Sequence, residues 1–400
     1  MRGRGSAMLR ALRRSGIASL LFLWQGTGIT VSAQEPVKDL RQFAHEYAGP
    51  GRDEDLPAPP ATMPIAYFGP FTNEDVDYDL DLWRAAVLAV EELNEASAVR
   101  PPLQLIPIWS PNPWGGGISD LAKELFGGPS LAVLTGVTGD AVHLAEQIAT
   151  KARVPVVNGG SSDETAHRAS VPWLFSCLPG ESAQAPLLVE HLQRLAGERP
   201  FLLLTSTSHD SRVFTDVLSR LLSHRGLSPR LHLQTDPGAT ALPQALEGLD
   251  FHEIAAVILI GEPVFSAGIY QRLREVFSGP VFGSSAFGRR AFLETWERSP
   301  GPVYFPYPAD PHGVERFSEK FSTRFQRRGD FAAASTYDAV KLLTAALQIS
   351  GPNRARLLDA LRAVVPWKCS TGVIDWDLPG QNTRRPLLAT LFDGHVVPAP

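Results

Sequence analysis

Two short polar turns, Thr138-Gly139-Asp140 and Ser161-Ser162, each follow an apolar run of strand length and carry the hydroxyl and carboxylate groups of a small-molecule site. Gly139 and Asp140 open a helix-period segment. Free backbone N–H groups and the positive end of a helix dipole favour an anionic ligand group there. Asp140 is equally suited to capping that helix, and Ser161 and Ser162 to forming the turn alone. In the second half of the chain Asp210, Ser211 and Arg212 follow a strand turn at 205–209, and Glu262 follows Gly261.

Other chemistries find little support. The acids Glu74, Asp75, Asp77, Asp79 and Asp81 alternate without the ligand order of a calcium loop, and acids ahead of a helix stabilise its positive end. The ten histidines are scattered, with His143 on a helix, His209 in a turn and His224 at a helix end, and none has zinc spacing. Neither a Gly-x-Ser-x-Gly elbow nor a phosphate-cradling Gly-rich loop with Lys is present. The expectation is a binder with no catalytic residue, no metal and no cofactor.

The elements that must position these groups begin with 131–162, an apolar strand, a helix and a second short strand. Parallel strands joined by a right-handed crossover put both polar turns at the same carboxyl edge of a sheet, where open α/β sheets hold ligands. Upstream, 64–70 and 103–109 read as strands, while 81–96 and 118–126 read as helices. Apolar positions Leu82, Ala85, Ala86, Ala89, Val90 and Leu93 keep the helical stripe. After an extended run at 173–178 the pattern restarts. Helices are expected at 182–195, 213–224, 242–249 and 268–277, and strands at 201–205, 230–234, 255–260 and 281–283. Helices at 314–328, 332–349 and 354–364 follow, then strands at 373–376, 387–392 and 395–397 with Asp393-Gly394 as a tight turn. The fold class is α/β, two doubly wound lobes around a ligand cleft. The tail must return to lobes already begun, so a multi-strand hinge is expected.

Four hundred residues, 44% hydrophobic and 20% charged, suit two globular units. The amino end carries Arg2, Arg4, Arg10, Arg13 and Arg14, an apolar run at 16–24, and Val31-Ser32-Ala33 before Gln34, the order of a secretory signal. An uncleaved anchor is the weaker reading, because the run is well short of the roughly 20 residues of a membrane span. Removing 1–33 takes away five of the 37 basic residues and none of the 42 acids, leaving a charge of about −10 and no basic nucleic-acid footprint. Residues 34–62, with Gly49-Pro50-Gly51 and Pro57, Pro59 and Pro60, read as a flexible tether. Export permits a disulfide, but spacing leaves open whether Cys177 and Cys369 pair.

The order of Pro64 to Pro70, Ala-Val-Glu-Glu-Leu-Asn at 89–94, the strand and turn at 131–139, Val-Pro-Val-Val at 154–157, Ser-Thr-Tyr-Asp-Ala-Val at 335–340 and Thr-Gly-Val-Ile-Asp-Trp-Asp at 371–377 resembles the type I periplasmic binding proteins, in their leucine/isoleucine/valine-binding branch. The likeness runs from about residue 63 to the end. It implies an exported, non-enzymatic, monomeric receptor in the periplasm that captures an amino acid or related compound and presents it to the membrane permease of an ABC importer. A sensor of the same fold, reporting to a membrane partner, is the alternative. It also implies 63–178 and 288–370 as the first lobe and 179–287 and 371–400 as the second. In the site, Tyr78 would lie over the ligand, Thr138 to Asp140 and Ser161 to Ser162 would form the carboxylate loops, and Asp210, Ser211, Glu262 and Ser285 would close from the second lobe. Ser285 stands where amino-acid binders often carry the carboxylate that meets the α-ammonium, so the resemblance implies Glu262 or Asp210 as its replacement; if neither serves, the ligand is not an α-amino acid.

Overall fold

The computed structural model describes residues 51–52, 60–72, 78–110, 112–239 and 241–400. The expected signal at 1–33, most of the tether and the acids at 74–77 lie outside them. The strands are β1 Met63–Phe68, β2 Leu103–Ile108, β3 Ala132–Thr135, β4 Val156–Asn158, β5 Leu174–Ser176, β6 Phe201–Ser206, β7 Leu231–Thr235, β8 Ala256–Ile260, β9 Val281–Gly283, β10 Val303–Tyr307, β11 Trp367–Cys369, β12 Gly372–Ile374, β13 Leu387–Phe392 and β14 His395–Pro398.

One sheet has the order β2-β1-β3-β4-β5, with every pairing parallel. Its central strands are apolar along their whole length because helices cover both faces, and β1 is buried at every residue. The second sheet runs β14-β13-β10-β9-β8-β6-β7, parallel except where β13 meets β10 and β14. Its edge strand β7, Leu-His-Leu-Gln-Thr, alternates between exposed and partly covered residues, as a strand with one solvated face does. Helix Phe331–Ser350 is buried along most of its length and packs against Leu80–Glu95 and Arg354–Val364 on the first sheet.

The chain departs from expectation at several places. Strand β10 pairs with β9, and helix Arg290–Arg298 packs against Pro263–Arg274, so the return to the first lobe comes after residue 307 rather than at 288. Conversely, 376–382 stays with the first lobe: the Trp376 indole donates to Ser176 O at 2.8 Å and Asn382 Nδ2 to Cys177 O at 2.8 Å. Both shifts arise because pairing partners far apart in sequence, not local pattern, decide which sheet a short segment joins. The helix expected at 242–249 is a single 3₁₀ turn, Gln244–Leu246, hemmed in by Pro243 and by Gly248 at φ +79°. Helices expected from 213 and 268 begin at His209 and Pro263, which carries Asp210 and Ser211 into a helical first turn.

The passages between the lobes, at 177–181, 307–311 and 383–387, are laced together. Arg384 donates from Nη1 to Thr371 O and from Nη2 to Cys177 O, and Asp310 N donates to Thr371 O. Cys177 and Cys369 sit here as free thiols, the first buried, the second hydrogen-bonded to Thr371 and Gly372.

Candidate functional site

A cavity of about 340 Å³ opens between the carboxyl edges of the two sheets, within the range of small-ligand sites. Of the residues expected to form a site, Tyr78, Thr138, Ser161, Ser162, Asp210, Ser211, Glu262 and Ser285 all line it. Gly139 and Asp140 lie beside it and not in its wall. The N–H of Gly139 is already taken: it donates to Asp210 Oδ1 across the lobes at 2.9 Å. A Cβ at Gly139 would overlap the Asp210 and Asp163 carboxylates, so only glycine permits this approach.

From the first lobe, Thr138 caps helix Gly139–Ala152 by accepting from Ala141 N at 3.2 Å, and keeps its own hydroxyl proton for another acceptor. Asn158, at the end of β4, braces the second loop by donating to Ser161 O and accepting from Ser161 N. Ser161 is buried and its hydroxyl accepts from Asp163 N at 3.2 Å, leaving its proton free to donate. Ser162 is spoken for: its hydroxyl donates to Glu181 Oε1 at 2.9 Å. Burial pushes the Glu181 carboxyl well above the usual carboxylate range, so the group holds a proton readily. Tyr78 donates its hydroxyl to Glu294 Oε2 at 3.1 Å, and the Arg290 guanidinium lies 4.4 Å from its ring centroid.

From the second lobe, Ser208 caps helix His209–His224, and the hydroxyls of Ser206, Ser208 and Ser211 hydrogen-bond to one another. Glu262 precedes Pro263 at the start of its helix but makes no capping bond. Its Oε2 accepts from Ser206 Oγ at 2.9 Å, while its Oε1 is buried and accepts nothing. A buried carboxylate oxygen without a donor costs roughly 1–3 kcal/mol or more. Burial, with the Asp163 charge beside it, pushes the Asp210 carboxyl up to about 7.

Sequence reasoning missed the far wall. Arg289 and Arg290 are buried and line the cavity, Arg289 held by Asp330 (Nε to Oδ2, 2.8 Å) and Arg290 by Asp81 (Nε to Oδ2, 2.6 Å). Asp330 also caps helix Phe331–Ser350, accepting from Ala332 N and Ala333 N, and this explains a carboxylate so placed. Phe214, Ile260 and Phe331 add apolar surface. The one local signal was Asp330 immediately before an apolar helical run; nothing in the sequence pointed the arginine pair inward.

The family model of a periplasmic binding protein matches residues 62–390. Comparison with curated proteins gives no match. Among solved structures, the branched-chain amino acid transporter substrate-binding protein LivJ from Streptococcus pneumoniae, in complex with isoleucine, is 18% identical with a TM-score of 0.72, over 84% of this chain and 97% of that one. The leucine-binding protein LivK from Thermotoga maritima is 15% identical with a TM-score of 0.74, over 85% and 98%. A solute-binding protein of an ABC transporter from Rhodopseudomonas palustris, in complex with 3,4-dihydroxybenzoic acid, is 16% identical with a TM-score of 0.71, over 84% and 95%. Two doubly wound lobes with a polar cavity between their sheet edges, and a match across most of the chain, place it: the chain belongs to the periplasmic binding protein family, whose members bind a solute rather than transform it.

Proposed function

We propose that the protein is an exported receptor that captures a small α-amino acid or a close relative and delivers it to the permease of an ABC importer. The observation that carries the ligand class is Glu262, a carboxylate residue of the cavity wall whose buried Oε1 lacks a donor. An ammonium set against it supplies the missing donor and the opposite charge together. The Thr138 and Ser161 hydroxyls, on the facing lobe, are free to donate to a carboxylate. Phe214, Ile260 and Phe331 leave room for an apolar side chain.

A second reading, an aromatic acid without an amine, draws on the same apolar wall and the arginine pair, and on the dihydroxybenzoate held by one structural relative. A phenolic hydroxyl would donate to Glu262 Oε1 but brings no opposite charge to that carboxylate. Thermal unfolding of the full chain against a panel of amino acids, their deaminated 2-oxo and 2-hydroxy counterparts and aromatic carboxylates separates the two. Stabilisation by an amino acid but not by its deaminated counterpart supports the first reading, and the reverse order defeats it.

Export rests on the basic, apolar, small-residue order of 1–33. Among the described residues no helix is long and apolar enough to cross a membrane. Amino-terminal sequencing of exported protein should begin at Gln34, and material beginning at Met1 refutes cleavage. The receptor acts as a monomer, to be checked by light scattering.

A further inference from the structure

Outside the cavity, two histidines that stand 66 residues apart in the sequence meet at one carboxylate. Asp163, in the loop after β4, is buried. Its Oδ1 accepts from Thr165 N at 2.8 Å and from Thr165 Oγ1 at 2.6 Å, which fixes the carboxylate plane and leaves Oδ2 to other partners. Two imidazoles address that oxygen: His143 Nε2 on helix Gly139–Ala152 at 3.1 Å, which also meets Thr165 Oγ1 at 2.9 Å, and His209 Nε2 at the start of the second lobe's helix at 2.7 Å. The two rings stand edge to face, centroids 5.2 Å apart. All the ligand atoms of this trio lie within 4.8 Å of one another. Both imidazoles are a quarter exposed, so the cluster opens to solvent on one side.

We propose that His143, Asp163 and His209 form a binding site for a divalent transition-metal ion of the zinc type, an ion that joins the first lobe to the second. Two imidazole nitrogens and one carboxylate oxygen are the donor set such ions prefer, leaving a fourth position for water. An ion about 2.0–2.2 Å from each donor sets neighbouring donors roughly 3.0–3.5 Å apart, so the 2.7 and 3.1 Å contacts open slightly while the two imidazole nitrogens, within 4.8 Å of each other, draw together. The surroundings suit a cation. Thr165 orients Asp163 through its other oxygen, Asp140 Oδ1 lies 3.9 Å from His209 Nδ1, and Asp210 approaches the same spot across Gly139. Two of the donors belong to the first lobe and one to the second. An ion on the trio therefore favours the arrangement in which the lobes are together, and by linkage that arrangement raises its affinity.

The test uses the full chain without a polyhistidine tag, stripped of metal with a chelator, titrated with zinc chloride in a calorimeter at pH 7.5 in the absence of any solute. The expected result is saturable uptake of one equivalent, weakened at least tenfold in both His143→Ala and His209→Ala. His209 is a quarter exposed and belongs to neither lobe's apolar core, so its removal leaves the first lobe intact and a folded variant is available. Uptake that the two variants leave unchanged, or no saturable uptake, overturns the site. The joining role has its own readout: with one fluorophore on each lobe, zinc should shorten the inter-lobe distance in the wild type and not in His209→Ala. Uptake with no change of distance overturns that role.

Discussion

Neutralising Glu262 tests the ligand assignment most directly, because the same substitution has opposite consequences for the free and the loaded protein. In Glu262→Gln the amide oxygen can still accept from Ser206, so the wall of the cavity keeps its shape. What changes is the second oxygen, buried and unpartnered, which becomes an NH₂ that confronts an ammonium donor with another donor. At about 3 Å and an effective dielectric near 20, the raw attraction between carboxylate and ammonium is about 5 kcal/mol. Desolvation of both groups offsets much of that, and a charge-assisted hydrogen bond of this kind nets about 1.5–3 kcal/mol, or roughly 10- to 150-fold in affinity. Calorimetry with the amino acid that stabilises the wild type should show that loss, while a deaminated analogue should bind both proteins alike. The ligand-free variant should unfold near the wild-type temperature, since one unpartnered buried polar atom replaces another while a buried charge is removed. Unchanged amino-acid affinity, or an equal loss for the deaminated analogue, refutes the reasoning.

Gly139→Ala should weaken ligand binding tenfold or more with the first lobe intact, because its Cβ meets Asp210 and Asp163 where the lobes touch; small-angle scattering should report a larger radius of gyration with ligand present than the wild type shows. Ser162→Ala removes a donor from buried Glu181 and should cost about 1–3 kcal/mol in chemical denaturation, a loss that a turn-forming serine would not produce. Stability should fall as pH rises from 5 to 7.5: Asp210 holds its proton up to about 7 in the folded chain but only to about 4 unfolded, so its contribution is present at low pH and is lost on ionisation. The hydrogen bond to Asp163 raises His143 against the opposing effect of burial, and its share has the same sign, being lost as pH passes its folded value. Asp210→Asn should flatten the slope by about 1–2 kcal/mol, allowing for solvent at the cleft lip, and an unaltered slope in denaturation curves across that range would reject the assignment.

The strands and helices of the repeating units were legible because each announces itself locally. Apolar runs such as Ala132–Thr135 and Ala256–Ile260 can lie only inside a parallel sheet covered on both faces, and the polar turns that end them fall at the sheet edge by the handedness of the crossover. The same rule placed Thr138, Ser161 and Ser162 at one sheet edge, and the resemblance to two-lobed binding proteins set Glu262 opposite them. Local pattern was silent wherever a partner distant in sequence decided the outcome. Short β10 joins the second sheet because β9 and β13 flank it, and 376–382 stays with the first lobe because the backbone of β5 is free to accept from it. The site divides along the same line. A hydroxyl in a turn reads as a ligand group from sequence, but that Ser162 and the N–H of Gly139 are already bonded, while Glu262 has an oxygen to spare, follows from how two lobes meet. Arg289 and Arg290 turn inward only because Asp330 and Asp81, from other helices, compensate their charge. His143 and His209 carry no spacing signal, since metal-like geometry between lobes depends on a hinge that sequence order does not encode.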